Sequence, residues 1–222
     1  MYSKVIKRVA DFVTALLLTL LLIIPVGIIC IVIMATSKGP AIFAQDRTGK
    51  NGKTFKLYKL RTMTVDEPRE VTRFGRFLRK TSIDELPQLI NILKGDMSFI
   101  GPRPWITDFY KVFNDEQKRR TLALPGLSGY AQINGRNDIT IFEKINYDIH
   151  YIENISFKLD IYIFFKTIKT VITSESYDNP PIAIEEELEQ LSLQNFGRHA
   201  VLDFSQDQSV LQTEEQTVPQ QV

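Results

Sequence analysis

The stretch at residues 12–35, FVTALLLTLLLIIPVGIICIVIMA, contains no charged residue and dominates the organisation of the chain. About 20 apolar residues are enough to span a bilayer as a helix, whereas the apolar core of a cleaved signal peptide has only about 7–15. A buried core helix of this length is unusual in a chain of 222 residues. The segment therefore predicts a helix inserted in a membrane.

Basic residues flank this segment on both sides. Three precede it and seven follow it within a short distance: Lys4, Lys7 and Arg8, then Lys38, Arg47, Lys50, Lys53, Lys56, Lys59 and Arg61. The positive-inside rule places basic flanks in the cytoplasm. Pro25 lies in the middle of the segment, where proline removes a helix hydrogen bond and favours a kink. Two topologies remain open: a bent, re-entrant helix with both ends in the cytoplasm, which agrees with both flanks, and a kinked helix that crosses the membrane.

The net charge of +1 hides a strong asymmetry along the chain. Residues 1–174 carry 26 basic and 16 acidic residues, a net charge of +10, whereas residues 175–222 carry one basic and 10 acidic residues, a net charge of −9. A basic body with a long apolar segment indicates an anionic partner such as lipid headgroups or phosphorylated substrates. Nucleic acid is the other common partner of a basic surface, but it gives the apolar segment no role.

Several kinds of site are absent from the sequence. Cys30 is the only cysteine, which excludes an intramolecular disulfide and a cysteine-rich metal site. His150 has no His or Cys partner at ligand spacing and is interpreted as structural. No P-loop, dinucleotide-binding fingerprint or Gly-x-Ser-x-Gly elbow occurs.

Short strands are predicted at residues 41–45, 54–60 and 130–133. The first two are joined by the basic turn RTGKNGK at residues 47–53, in which Asn51-Gly52 is a hairpin signal. Helices are predicted at residues 72–80, 82–94, 107–120, 140–152 and 158–172. The chain is thus expected to be a mostly helical α+β protein, with an apolar N-terminal helix, amphipathic helices and short strands.

Two of these helices carry patterns that bear on function. Arg73, Arg76 and Arg79 recur along one side of the helix at 72–80, which fits either a solvated face or a helix on a membrane surface. The helix at 158–172 presents an apolar face that either packs in the core or lies on a membrane: Ile161, Phe164, Phe165, Ile168 and Ile172. Beyond these helices, the acidic tail is predicted to be flexible or loosely attached, with one short helix at residues 184–193.

The helix predicted at residues 82–94 contains the best candidate for catalysis, Asp84-Glu85. Ser82 and Glu85 have capping-box spacing, and an apolar face is formed by Leu86, Leu89, Ile90 and Leu93. Unsatisfied amides at a helix N-terminus favour an ionised carboxylate. Such an aspartate can attack phosphorus to give an acyl phosphate, and its neighbour can handle a proton or help hold Mg²⁺. The same two residues would also serve as ordinary first-turn residues.

Two further clusters are candidates for binding phosphate or a nucleotide. Arg103 lies between Pro102 and Pro104, and this stiff loop presents a guanidinium fork that suits phosphate or a structural ion pair. Asn134, Arg136 and Asn137 could contact a base edge or a phosphate, although their pattern is weak by itself.

These clusters, in this order, resemble the bacterial sugar transferase family, the small monotopic polyprenol-phosphate phosphoglycosyl transferases. The resemblance covers residues 3–175 and is carried by KLRTM at 59–63, TSIDELPQLINILKGDMSFIGPRP at 81–104 and PGLSGYAQINGRN at 125–137. It implies a re-entrant helix bent near Pro25, followed by a small catalytic domain on the cytoplasmic face of the bacterial inner membrane. The regions implied are residues 1–38 for the membrane helix, 39–178 for the catalytic domain and 179–222 for a flexible acidic tail.

The resemblance also implies an activity and its residues. Asp84 would attack the sugar-bearing phosphate of a UDP-sugar and release UMP, with Glu85 assisting by proton handling or positioning. Polyprenyl phosphate would then take the phosphosugar, as the first membrane step of capsule, exopolysaccharide or glycan assembly. Mg²⁺ would bridge the diphosphate and Asp84. The other implied binding residues are Arg103, Arg61, Arg79, Asn134, Arg136 and Asn137.

The implied partners are a UDP-sugar, polyprenyl phosphate, the bilayer and downstream glycosyltransferases, and no nucleic acid. Two other functions remain open at this point. One is a membrane-anchored glycosyltransferase that would release UDP, and the other is a non-catalytic scaffold for an assembly complex.

Overall fold

The computed structural model describes residues 2–66, 68–135, 139–173 and 183–197. Within these ranges the chain is mostly helical with two small sheets, as expected. The helices are α1 Lys7–Thr36, α2 Arg73–Lys80, α3 Gln88–Lys94, α4 Thr107–Val112, α5 Asp115–Lys118, α6 Tyr130–Ile133, α7 Ile141–Glu153, α8 Phe157–Thr173 and α9 Ile184–Phe196. The strands are β1 Ile42–Thr48, β2 Thr54–Leu60, β3 Ser98–Ile100 and β4 Gly126–Ser128.

Helix α1 is a continuous helix of 30 residues that contains Pro25 and follows a π-helical turn at Tyr2–Ile6. It is long and apolar enough to cross a membrane. Ala15 and Ile33 on one face are buried against the rest of the protein. Leu18, Leu22, Val26 and Ile29 are partly buried against the same core clusters. Many other large apolar side chains are exposed, among them Phe12, Leu16, Leu17, Leu20, Leu21, Ile23, Ile24, Ile28 and Ile31.

Both ends of α1 contact the rest of the protein. Near its start, Arg8 donates hydrogen bonds to the carbonyl oxygens of Ile92 (2.6 Å) and Leu93 (3.2 Å) at the end of α3. Near its end, Ile33 packs with Leu60 of β2 and Leu78 of α2. The polar part of the molecule therefore lies along the length of α1 and not beyond one end of it.

The buried carboxylate of Asp160 joins the start of α1 to helices α7 and α8. Its Oδ2 accepts hydrogen bonds from Tyr2 Oη (2.6 Å) and Lys7 Nζ (2.7 Å). Its Oδ1 accepts one from Tyr151 Oη of α7 (2.7 Å). Three donors, two from the first residues of the chain and one from α7, thus fix how the start of α1 sits on the domain, because a buried carboxylate needs hydrogen-bond partners.

The β1–β2 hairpin packs on α3 through a buried amide. Strands β1 and β2 pair antiparallel from Ile42–Leu60 to Thr48–Thr54, and the turn uses Asn51 and Gly52 at positive φ as their hairpin signal predicts. Asn91 of α3 is completely buried, donates Nδ2 to Lys56 O (2.7 Å) and accepts Tyr58 N at Oδ1 (3.2 Å). The amide thus bonds the edge of β2 as a neighbouring strand would.

We expect Asn91→Leu to lower the free energy of unfolding by about 2–4 kcal/mol, because it leaves two backbone groups of β2 buried without partners. The control is Asn146→Leu, the same change at an exposed position of α7, which should stay within about 0.5 kcal/mol of wild type. Denaturant unfolding of the detergent-solubilised variants measures both. Equal effects at the two positions would show that the Asn91 amide contributes nothing beyond its volume.

Three expected elements differ in the structure. The helix expected at 82–94 is divided into a 3₁₀ turn at Ile83–Glu85 and α3, with Pro87 as the N-cap of α3. The expected capping box is wrong, because Ser82 adopts a left-handed conformation (φ 56°) and makes no side-chain cap. The helix expected at 107–120 is α4 and α5, which Phe113 and a capping box from Asn114 separate. The strand expected at 130–133 is α6, and the strand lies earlier, at β4.

The apolar faces also differ from those expected. In α3 the buried residues are Gln88, Leu89, Asn91 and Ile92, while Ile90 is exposed, because the helix is packed between α1 and β2. Among the apolar residues of α8 up to residue 170, only Ile163 is fully buried, and a band of large side chains faces outward: Phe157, Ile161, Tyr162, Phe164, Phe165 and Ile168. Of the two alternatives for α8, the surface helix is therefore the one that fits.

Helix α9 confirms the short helix expected in the acidic tail and extends it to Phe196. It differs from the expectation of a loosely attached tail over this stretch, because Ile184, Leu188 and Leu191 are buried against α4 and α7. An ion pair between Lys144 Nζ and Glu187 Oε1 (2.6 Å) adds to this packing. The remaining tail residues, 174–182 and 198–222, lie outside the described residues, and the boundaries expected for the three regions stay predictions.

Candidate active site

The Asp84-Glu85 pair lies in the 3₁₀ turn between α2 and α3. Ser82 enters this turn with φ 56°, a conformation that costs a non-glycine residue about 1 kcal/mol. The turn buries the Asp84 carboxylate, which is 8% exposed, and leaves Glu85 partly exposed. Backbone strain of this kind persists only where the surrounding structure holds the residue in place. The strained residue Ser82 begins a separate 3₁₀ turn, so the Asp84-Glu85 pair is not part of α3.

Glu85 is held by two cations from distant parts of the chain. Its Oε1 pairs with Lys59 Nζ of β2 (3.1 Å) and with Arg103 Nη2 of the Gly-Pro-Arg-Pro loop (3.4 Å). Two of the three segments that carry the resemblance, residues 59–63 and 81–104, therefore meet at one carboxylate. The arrangement puts two positive charges next to Asp84, where they can attract an anionic substrate.

The two carboxylates have opposite pKa shifts. Burial raises the pKa of Asp84, and Glu85 adds to this increase, while Lys59, Arg79 and Arg103 oppose it. Burial would also raise the pKa of Glu85, but Lys59 and Arg103 outweigh it and lower that pKa to about 2. Glu85 therefore stays ionised at neutral pH, which suits a residue that holds cations more than one that exchanges protons.

Arg79 of α2 completes the positive surroundings of Asp84. Its Nε donates to Thr62 Oγ1 (2.8 Å), which anchors it beside the end of β2. Gly75, one turn earlier, lets α2 approach this segment, because a Cβ there would collide with the carbonyl of Thr62. The expected binding residues Arg79 and Arg103 are thus both placed around the pair.

The Gly-Pro-Arg-Pro loop is held by a parallel pair of short strands. β3 and β4 pair at Ser98–Gly126 and Ile100–Ser128, and Gly126 N donates to Pro102 O (2.9 Å). A Cβ at Gly101 or Gly126 would collide with the opposing backbone, which explains glycine at both positions. The segments 81–104 and 125–137 therefore form one unit that fixes Arg103.

The other expected binding residues have other hydrogen-bond partners or lie outside the described residues, and their roles stay predictions. Arg61 donates Nη2 to Ser37 O (2.8 Å) and Nη1 to Lys38 O, so it caps the end of α1. Asn134 donates Nδ2 to Tyr130 O (2.8 Å) and accepts Lys166 Nζ (3.3 Å). Arg136 and Asn137 lie outside the described residues, and their expected roles stay predictions.

Lys59 contacts the Asp84-Glu85 pair through Glu85, but the sequence patterns did not single it out. It belongs to the quoted KLRTM segment, but a lysine on a short strand has the pattern of a solvated residue. Lys59 lies on β2, which the Asn91 side chain joins to α3 by two hydrogen bonds. These bonds help set the position of Lys59 relative to Glu85. The one signal for it was its place in a motif that also contains Arg61.

Asp84 is a carboxylate that could share a divalent cation with a substrate. In the described ranges no group of three or more His, Cys, Asp or Glu side chains could hold a metal ion. Mg²⁺ commonly uses only one or two carboxylates together with substrate phosphates. A single aspartate beside cationic residues fits that kind of site, so the residues present are compatible with the expected Mg²⁺.

Comparison with known proteins agrees with this geometry. The family model described as bacterial sugar transferase matches residues 2–174. An uncharacterized sugar transferase, EpsL, of Bacillus subtilis is 42% identical over 180 residues, which cover 77% of this chain and 89% of EpsL. The UDP-glucose:undecaprenyl-phosphate glucose-1-phosphate transferase of Caulobacter vibrioides is 40% identical over 189 residues, which cover 77% of this chain and 71% of that protein.

Some relatives are much longer than this chain. The undecaprenyl-phosphate galactose phosphotransferase of Salmonella typhimurium is 36% identical over 197 residues, but the match covers 77% of this chain and only 41% of that protein. The match to the family model spans α1, the Asp84-Glu85 turn, the Arg103 loop and α8. The chain belongs to the bacterial sugar transferase family.

Proposed function

We propose that this protein transfers a sugar-1-phosphate from a UDP-sugar to polyprenyl phosphate and releases UMP. The observation that carries the proposal is the buried Asp84 carboxylate beside Glu85, which Lys59 and Arg103 hold. The names of the Caulobacter and Salmonella relatives, which specify undecaprenyl phosphate as acceptor, support it. The product would be the first lipid-linked intermediate of a capsule, exopolysaccharide or glycan, for later glycosyltransferases to extend.

The transfer needs two displacements at one phosphorus atom. A carboxylate oxygen of Asp84 attacks the sugar-bearing phosphorus, the bond from that phosphorus to the bridging oxygen breaks, and UMP leaves with that oxygen. An oxygen of polyprenyl phosphate then attacks the same phosphorus. The bond between this phosphorus and the Asp84 oxygen breaks, which restores the carboxylate. One site can serve a soluble and a lipid substrate in turn because the first product leaves before the second substrate reacts.

The remaining residues bind and orient the substrates. In this proposal Arg103 and Lys59 contact the diphosphate, and their ion pairs with Glu85 orient them. Arg79 adds positive potential at Asp84. Mg²⁺, held by Asp84 and substrate phosphates, would offset negative charge on the transferring group.

We also propose that α1 is re-entrant, with both ends on the cytoplasmic face of the bacterial inner membrane. A straight helix of 30 residues is about 45 Å long, more than the hydrocarbon thickness of about 30 Å. If it crossed the membrane, one end would be on the far side from the polar domain. Contacts of Arg8 with α3 and of Ile33 with α2 and β2 instead support two ends on one side. The exposed apolar residues of α1 and α8 would then enter the bilayer.

Nucleotide release tests the activity. Purified protein in nanodiscs would receive Mg²⁺, undecaprenyl phosphate and a panel of UDP-hexoses and UDP-N-acetylhexosamines. UMP released with one donor is the expected result, and it would name the sugar. Release of UDP would indicate a glycosyltransferase, and no release across a panel that a related enzyme turns over would favour a scaffold.

The pH dependence of the reaction should reflect the raised pKa of Asp84. Because the ionised carboxylate is the nucleophile, kcat/KM should fall as the pH falls through that pKa, at a higher pH than for an ordinary aspartate near 3.8. Lys59→Gln removes a cation that lowers this pKa, so the midpoint should move to higher pH. Lys56→Gln, an exposed lysine on the same strand, is the control and should leave the midpoint in place. A midpoint that is unchanged or lower in Lys59→Gln would contradict this electrostatic role.

A further inference from the structure

Arg120 is a buried arginine whose side chain reaches the Gly-Pro-Arg-Pro loop. It lies in the 3₁₀ turn at Arg119–Thr121 after α5 and is 3% exposed. Its Nε and Nη2 donate to Asp148 Oδ2 of α7 at 3.0 Å and 2.6 Å. The Asp148 side chain is equally buried, so the pair has almost no contact with solvent.

The same guanidinium makes two contacts with the segment around Arg103. Nη2 donates to the carbonyl oxygen of Arg103 at 2.8 Å. The guanidinium carbon lies 3.8 Å from the centre of the Trp105 ring, in a cation–π contact. Arg120 therefore contacts the loop segment at two points, the carbonyl of Arg103 and the ring of Trp105.

The composition of the loop makes its carbonyl groups important. Pro102 and Pro104 have no N–H, so the loop cannot be anchored through amide donors at those positions. Its carbonyls are anchored instead: Gly126 N binds Pro102 O (2.9 Å), and Arg120 binds Arg103 O. Of these two anchors, Arg120 acts directly on the residue whose side chain contacts Glu85.

Stability alone gives a weak reason for burying this ion pair. Replacing a buried ion pair by apolar residues of similar volume is often neutral or stabilising. Asp148 Oδ1 also has no hydrogen-bond partner within the described ranges, so the pair is not fully satisfied. What an apolar side chain could not do is donate a hydrogen bond to Arg103 O.

We propose that Arg120 is a positioning residue for the transfer reaction: Asp148 and Trp105 orient its guanidinium, which holds the carbonyl of Arg103 and so places the Arg103 side chain beside Glu85 and the substrate diphosphate. The inference rests on the proposed function. Misplacing a catalytic group by about 1 Å costs on the order of 10²-fold in rate, so a loss of that size is expected when the anchor is removed.

The central variant is the double replacement Arg120→Met with Asp148→Leu, which removes both buried charges and keeps the volume. It should fold about as well as wild type, yet release UMP about 10²-fold more slowly in nanodiscs. Arg120→Lys keeps the charge but loses the fork and should be slowed to a similar extent. Arg119→Gln is the matched control, because Arg119 is partly exposed and pairs with Glu116 and Glu153. It should keep wild-type turnover.

Combination with Arg103→Ala separates positioning from general damage. If Arg120 acts only through Arg103, adding Arg120→Lys to Arg103→Ala should cause no further loss. If the losses in turnover from Arg103→Ala and Arg120→Lys instead multiply, the proposal is overturned. It is also overturned if the variant with Arg120→Met and Asp148→Leu is well folded and keeps wild-type turnover. If wild type itself releases no UMP with any donor, the proposed function fails and this inference fails with it. If wild type is active but the Arg120 variants behave like Arg119→Gln, only the positioning role is excluded.

Discussion

Replacing Asp84 with asparagine is expected to abolish UMP release, with a loss of roughly 10⁴-fold or more in turnover, while the protein stays folded and membrane-bound. An amide has nearly the same shape as the carboxylate but cannot attack phosphorus to form an acyl phosphate. The ion pairs of Glu85 with Lys59 and Arg103 do not involve Asp84 and should persist. Turnover by purified protein in nanodiscs, with circular dichroism as a check on folding, measures the effect.

A covalent label makes this prediction specific. Incubation with UDP-sugar labelled at the sugar-bearing phosphorus, without polyprenyl phosphate, should label wild type and leave Asp84→Asn unlabelled. Asp46→Asn is the control, because it makes the same change at an exposed aspartate of β1 that pairs with Lys56. It should retain both turnover and label. Turnover of Asp84→Asn within tenfold of wild type would remove Asp84 from the role of nucleophile.

Much of the local structure could be predicted because its causes lie close together in the sequence. The uncharged run at residues 12–35 lies within α1. Asn51-Gly52 forms the hairpin turn because both residues accept positive φ. Thr140 and Glu143 make a reciprocal cap at the start of α7. In each of these cases the decisive interaction is made within a few residues.

The errors come from contacts between distant segments. The buried face of α3 is set by α1 and β2, which pack on it from two sides, so Asn91 points inward and Ile90 outward. Arg61 donates to the carbonyls at the end of α1, a contact that its motif does not indicate, and its expected role in substrate binding stays a prediction. Local periodicity contains no information about either contact.

The candidate site was predictable in part for the same reason. Asp84, Glu85 and Arg103 stand in recognisable motifs, and the structure brings Glu85 and Arg103 together. Lys59 and Arg120 were missed because each is defined by its partner: Glu85 is 26 residues from Lys59, and Asp148 is 28 residues from Arg120. A lone basic residue in a strand or turn looks solvated until that partner is known.

Helix α9 shows how composition can hide a packing signal. The tail is acidic and rich in glutamine, which is typical of a flexible segment. Yet Ile184, Leu188 and Leu191 recur at i, i+4 and i+7, the spacing of one helix face, and all three are buried. The spacing of these three apolar residues is therefore a better indicator of a packed helix than the average composition of the tail.

Ending the chain after residue 182 is therefore expected to destabilise the protein strongly. The truncation uncovers an apolar surface that includes Ile106, Phe109 and Ile141. Burial of each large apolar side chain contributes about 1.5–3 kcal/mol, so losing three of them from α9 should lower the unfolding temperature by several degrees even after the entropy of ordering α9 is subtracted. Asn195, which donates to Val112 O (2.8 Å), is lost as well.

The control ends the chain after residue 197, which removes residues 198–222 and keeps α9. It should match the full chain in unfolding temperature and UMP release. Full-length Leu191→Asp should behave like the chain that ends at residue 182, because it places a charge in the same cluster.

The chain that ends at residue 182 should also lose turnover, since Trp105 packs against this cluster and also stacks on Arg120. Equal unfolding temperatures for the chains that end at residues 182 and 197 would show that α9 contributes no net stability. The two truncated chains should also be compared in turnover at a temperature where both are folded. Equal turnover of the chain that ends at residue 182, despite its lower stability, would show that the cluster under α9 does not influence the position of Arg103.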